Sequence, residues 1–182
     1  MAACSVRESV LKSVLILLLL GETATLRAQS NNARSEPIAV PVVGPRNPRL
    51  TRAVLAAINE ASRRLDKAEC RRIFEDFRDA SGRPLQQNLD ALGRTGQAHL
   101  RWLIFYNAAS EKFCGNRDAV AATNPGARLV HLCPDQFLEA RFLTPGYTAT
   151  LILHEELHSL GLGENPPSSR EITLAVIARC GT

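Results

Sequence analysis

His154-Glu155-Glu156-Leu157-His158 is the stretch whose reading decides the fold of this chain. Its two imidazoles stand four residues apart, and on an α-helix residues i and i+4 lie one above the other. Both rings can then reach one point in space, which suits a shared metal ion, with Glu155 facing the water such an ion activates. The flanks make the segment helical. Thr148-Ala149-Thr150-Leu151-Ile152-Leu153 leads into His154, and at about 100° per residue Leu153, Leu157 and Leu160 share one face. Leu151, His154, Glu155 and His158 share another, while Glu156 is expected to point to solvent. Thr144-Pro145-Gly146 is a turn before the helix, Gly161 or Gly163 can supply a left-handed cap after it, and Pro166-Pro167 prevents continuation. Two imidazoles and a carboxylate on a partly buried face each need a partner, and an ion supplies it.

Catalytic zinc usually takes three protein ligands and keeps one position open for water. Two acids downstream qualify. Glu164 lies six residues past His158, after a Gly161-Leu162-Gly163 turn that can swing the chain back under the helix. Glu171 is the alternative, in Ser168-Ser169-Arg170-Glu171, where Ser168 and Glu171 also fit a capping box that would occupy the carboxylate locally. Glu164 has no such local duty, so it ranks first.

Written out, His154-Glu155-x-x-His158-x-x-Gly161-x-x-Glu164 resembles the extended zinc signature of the metzincin peptidases, with Glu where that clan has His or Asp. Upstream, Ala121-Ala122-Thr123-Asn124-Pro125-Gly126 and Leu129-Val130-His131-Leu132-Cys133-Pro134-x-x-Phe137 are similar to the segment before the active-site helix in deuterolysin-type and lysine-specific zinc endopeptidases. Those enzymes carry an Asp in a Gly-Thr-x-Asp segment after the second His, and this chain has none. The resemblance spans roughly residues 119–165 and implies a single zincin-like domain of α+β class, with zinc held by His154, His158 and Glu164.

The N-terminus is of another kind. Arg7 and Lys12 precede Val14-Leu15-Ile16-Leu17-Leu18-Leu19-Leu20, an apolar run too short to span a bilayer. It reads as a signal peptide over residues 1–28, cleaved after Ala28, which places the protein in a secreted or periplasmic compartment with no stable membrane anchor. Removing it leaves 19 bases against 16 acids, a net charge of +3. The arginines are dispersed, and Arg63-Arg64 and Arg71-Arg72 share their stretches with Asp66, Glu69 and Glu75, so the pattern is a solvated face rather than a nucleic-acid footprint. Cys70, Cys114, Cys133 and Cys180 remain, an even number without C-x-x-C spacing, which suits disulfides. Of the three connectivities, Cys70–Cys114 with Cys133–Cys180 is favoured, as it would tie the strand before the active-site helix to the last helix.

Residues 29–48, with Pro37, Pro41, Pro45 and Pro48, read as a linker, leaving 49–182 as the domain. Helical spacing runs from Leu50 to Leu65, from Lys67 to Phe77, and briefly through Leu85, Leu89 and Leu92. Leu100–Tyr106 reads as a strand, Ala119–Ala122 and Arg128–Leu132 as a hairpin about Asn124-Pro125-Gly126, and Pro134–Phe142 and Ser169–Arg179 as helices. Helices, a small sheet and then the metal-bearing helix make an α+β order.

The expected function is a secreted zinc-dependent hydrolase, foremost a metalloendopeptidase acting on a peptide or protein with Glu155 as general base. The strand ending near Leu132 is expected to bind extended peptide at a sheet edge. Tyr147, Tyr106 and His131 are candidate oxyanion donors. His99 is expected at the surface. The competing classes are an exported binding domain with structural zinc or no metal, and a zinc hydrolase of non-peptide amides.

Overall fold

The computed structural model describes residues 42–139 and 145–181. The predicted signal peptide, most of the predicted linker and the C-terminal part of the helix expected at Pro134–Phe142 lie outside the described residues. The element order is β1 (Val42–Val43), α1 (Pro48–Leu65), α2 (Ala68–Arg71), α3 (Ile73–Asp76), α4 (Leu85–Ala91), α5 (Gly96–Trp102), β2 (Ile104–Asn107), a 3-10 turn (Lys112–Gly115), β3 (Ala121–Thr123), β4 (Leu129–Leu132), α6 (Pro134–Leu138), α7 (Pro145–Ser159) and α8 (Ser169–Cys180). This is an α+β architecture, as expected. Residues 42–48 of the expected linker are structured: they hold β1 and the start of α1. No helix among the described residues is long and apolar enough to cross a membrane.

α1 starts where Asn47 accepts a hydrogen bond from the Leu50 amide at 3.0 Å and Pro48 takes the first helical position. Leu50, Val54, Ala57, Ile58, Ala61 and Leu65 recur at three- and four-residue spacing and are wholly buried, against α7 above all. Each large side chain in that stripe contributes about 1.5–3 kcal/mol by leaving water. Arg64 lies on the same helix and is also buried. Its guanidinium donates to Glu60 Oε1 (3.0 Å), Thr150 Oγ1 (3.0 Å), the Gly146 carbonyl (2.8 Å) and the Gly181 carbonyl (2.6 Å). A buried charge persists only with partners of this kind, and these join α1 to the start of α7 and the end of α8.

Two expected elements are redrawn. The single helix over Lys67–Phe77 is instead two short helices interrupted at Arg72, close to the tethered Cys70. The strand expected over Leu100–Tyr106 begins only at Ile104, because Thr95 caps α5 by accepting from the Ala98 amide at 3.2 Å and carries the helix through Trp102. Gly96 on α5 meets Phe74 so closely that a Cβ there would sit 2.7 Å from the ring.

The sheet is mixed, in the order β1-β2-β4-β3. β1 and β4 run parallel to β2, with Tyr106 opposite His131, and the expected hairpin pairs β3 with β4 antiparallel, with Thr123 opposite Val130. The strand ending at Leu132 is therefore internal, with β2 on one side and β3 on the other. β3 is one of the two sheet edges, β1 being the other, and it packs beside α7. Phe105, Val130 and Leu132 point into the core shared with the helices.

The disulfides are Cys70–Cys180 and Cys114–Cys133, not the favoured Cys70–Cys114 with Cys133–Cys180. α8 packs back against α2 and α3, bringing Cys180 to Cys70, and Arg179 reinforces that contact by binding the Asp76 carboxylate and Glu69. Cys133, at the start of α6, meets the 3-10 turn that carries Cys114.

Candidate metal centre

α7 divides into the two faces read from the sequence. Leu153, Leu157 and Leu160 are in the core, while Leu151, His154, Glu155 and His158 line a cleft of about 850 Å³ between α7, β3 and the start of α8. The helix ends in a Schellman motif. The Leu162 amide donates to the Leu157 carbonyl (3.1 Å) and the Gly161 amide to the His158 carbonyl (2.8 Å), with Gly161 at φ +106°. That turn reverses the chain and brings Glu164 back over the rings.

His154 Nε2 and His158 Nε2 lie 3.0 Å apart, and Glu164 Oε1 lies 3.3 Å from His158 Nε2 and 3.7 Å from His154 Nε2. A tetrahedral ion with bonds of about 2.0–2.1 Å spaces its donors by roughly 3.4 Å, so the three edges bracket the value required. The outer ring nitrogens are engaged elsewhere. His158 Nδ1 donates to the Leu162 carbonyl at 2.8 Å, and a carbonyl can only accept, so the neutral form of that ring has its lone pair on Nε2, facing inward. Burial, with the field of His158, pushes His154 down to about 3, keeping the ring neutral. The residues fit a metal ion: two imidazoles and a carboxylate converge, and among the described residues they form a group able to hold one. Both histidines are buried, whereas Glu164 is 39% exposed at the cleft rim.

Glu171, the alternative ligand, does not join them. Its carboxylate accepts from the Ser168 amide (2.8 Å) and hydroxyl (2.7 Å), completing the capping box of α8. The local duty read from the sequence is the one it performs.

Glu155 is buried beside the two rings. Burial raises its carboxyl to about 7, aided by the charge of Glu164 and opposed by the Thr123 hydroxyl and His158. Neither Glu155 Oε2 nor Thr123 Oγ1 completes a hydrogen bond, so the carboxylate keeps a free oxygen. A base poised near neutrality is suited to proton transfer.

Two expectations about polar residues are corrected. Glu156 is fully buried rather than solvent-facing, with neither carboxyl oxygen hydrogen-bonded, and burial pushes its pKa well up. It sits on the apolar face because it falls three residues after Leu153 and four before Leu160. His99 is also fully buried, 2.8 Å from Ser159 Oγ. Since that hydroxyl donates to the Glu156 carbonyl, His99 donates through Nε2 and its Nδ1 is left without a partner.

Of the candidate oxyanion donors, Tyr147 lines the cleft. Tyr106 and His131 instead pack edge-on against each other, ring centroids 5.4 Å apart, on the sheet face away from the core. Sequence reasoning missed two residues of the site, Thr123 and Thr173, which comes from α8 to within 2.9 Å of His154 Nδ1. The hairpin turn placed Thr123 near the site in principle. Only the capping box, which fixes the phase of α8, pointed toward Thr173.

Comparison of the chain with protein-family models, with curated proteins and with solved structures found no match.

Proposed function

We propose that this protein is an exported zinc-dependent hydrolase, foremost an endopeptidase. One observation carries the reading: His154, His158 and Glu164 converge at tetrahedral spacing on a cleft, with the Glu155 carboxylate beside them. Two imidazoles with one carboxylate, on an i, i+4 helix pair with an adjacent Glu, are a donor set that catalytic zinc takes. When bound, zinc acidifies water and polarises a carbonyl. Glu155 takes the proton from the attacking water and returns it to the leaving amine. Burial suits it to both steps, because a carboxyl raised to about 7 exchanges protons readily near neutrality. Three donors opening on a cleft favour catalysis over a structural ion, which is typically enclosed by four ligands. This weighs against the binding-domain reading.

The edge strand β3 favours a peptide as substrate. Ala121, Ala122 and Thr123 line the cleft, and the outer backbone of an edge strand can pair with an extended chain. Two disulfides, with the signal peptide expected from the sequence over residues 1–28, fit an oxidising, extracytoplasmic compartment.

Metal analysis with an assay on casein tests the proposal. The expected result is one zinc per chain, cleavage abolished by a chelator, and a Glu155→Gln variant that keeps zinc but loses activity. A folded protein that takes up no zinc in excess ion would refute the hydrolase. A Glu155→Gln variant as active as the parent would remove Glu155 as the base.

A further inference from the structure

We infer that Thr173 is a positioning residue for the metal centre, setting the tautomer and orientation of His154. The inference rests on the ion-binding reading above and concerns a residue outside the ligand set.

The two imidazoles are held in different ways. His158 Nδ1 faces a carbonyl, which accepts and cannot donate, so this ring has one permitted neutral tautomer. His154 Nδ1 faces the Thr173 hydroxyl at 2.9 Å, a group able to do either. If the hydroxyl donates, His154 carries its hydrogen on Nε2 and can donate a hydrogen bond to His158 Nε2, 3.0 Å away; the inner nitrogen is then closed to an ion. If the hydroxyl accepts, the hydrogen sits on Nδ1, and both inner nitrogens offer lone pairs beside the Glu164 carboxylate. Thr173 can take the second state because it lines the open cleft, where its own hydrogen can point to solvent. The outer partner of a metal-bound imidazole commonly fixes its tautomer in this way.

Precise placement requires a fixed support, and α8 is held at both ends. The Ser168–Glu171 capping box sets its start. Its end is tied by Cys70–Cys180, by Arg64 donating to the Gly181 carbonyl, and by Arg179 on Asp76. Thr173 lies between these anchors, one turn into the helix. Its neighbours Ile172 and Val176 are buried in the core, so its approach to His154 is set by packing.

The test uses Thr173→Val, which keeps the branched shape without the hydroxyl, and Thr173→Ser, which keeps the hydroxyl. Zinc affinity is measured by competition with a chromophoric chelator, and the His154 tautomer of the metal-free protein by nitrogen-15 NMR. Thr173→Val should bind zinc about 10–100-fold more weakly and show an altered His154 tautomer signature, while Thr173→Ser should stay within about threefold of the parent. Equal affinity in the parent and Thr173→Val would overturn the inference and leave the metal reading standing. A parent chain that binds no zinc would overturn both. Should Thr173→Val fail to fold, a loss of affinity beyond tenfold in Thr173→Ser would count against the hydroxyl as the operative group, and a retained affinity for it.

Discussion

His158 donates its Nδ1 hydrogen to the carbonyl of Leu162, 2.8 Å away, so the turn that orients this ring is also the turn that delivers Glu164 two residues later. Ring and carboxylate are thus placed by one piece of backbone. Its pivot is Gly161, at φ +106° and with Asp79 Cβ 3.2 Å from where a Cβ would lie.

Gly161→Ala should therefore damage stability and ion binding together. The left-handed backbone disfavours an L side chain by about 1–2 kcal/mol, and relief of the contact with Asp79 would shift the Leu162 carbonyl. Thermal unfolding and a zinc titration of the same preparation should move in parallel. Weakened stability with unchanged zinc affinity would break the proposed link.

Glu164→Ala and Glu171→Ala should separate cleanly. The first removes the proposed third ligand, so zinc affinity should fall by at least tenfold with little change in metal-free stability. The second removes one half of a capping box and should cost roughly 0.5–1 kcal/mol of stability with zinc affinity retained. Zinc competition and urea unfolding of the two variants are the measurements.

The pH dependence of Glu155 has a definite sign. Its folded pKa, about 7, exceeds the 4.5 of an ordinary Glu because burial favours the neutral acid. In metal-free protein its contribution to stability is complete below pH 4.5 and is lost as pH rises through 7, by up to roughly 3 kcal/mol. The proposed activity should run the other way, since Glu155 could act as a base only when ionised. Glu155→Gln cannot titrate, so metal-free stability of this variant should lack that decline.

His99 should act in the opposite direction. Burial first, and then the nearby Arg94, holds it down to about 4, so the folded state keeps the ring neutral. Its contribution is present above pH 6.5 and lost as pH falls toward 4, because only the unfolded chain takes up the proton. Unfolding curves across this window should steepen the acid side for the parent relative to His99→Gln.

Much of the site was legible because its information is local. The i, i+4 imidazoles, the glycine after Leu160 and the Ser168–Glu171 box each act within a turn of helix, and each is found in the local geometry expected of it. What escaped depends on distant partners. Glu156 looks like a surface acid by type, although its phase between Leu153 and Leu160 is that of a core residue. His99 is buried by helices whose approach no single segment encodes. Leu100–Leu103 has the branched and aromatic content of a strand, and the Thr95 cap overrides it. The cysteine pairing follows from α8 folding back on α2 and α3, which spacing alone does not reveal.

The pairing itself can be checked by peptide mapping without reduction, which should recover Cys70–Cys180 and Cys114–Cys133. The bridges close loops of very different length, with separations of 110 and 19 residues. Removing the longer should cost about 4–5 kcal/mol and the shorter about 3 kcal/mol on chain-entropy grounds. Chemical denaturation of the two double-Ala variants would rank them.

The His158 carbonyl receives amides from both Gly161 and Gly126, at 2.8 and 2.9 Å. The second of these amides belongs to the bend joining β3 to β4. One jaw of the groove is thereby riveted to the tail of the helix that bears the chemistry. On the proposed endopeptidase reading, a guest chain would conform to a gap whose width on that side is already set, so pliant, unstructured stretches of polypeptide should be cut well before folded ones.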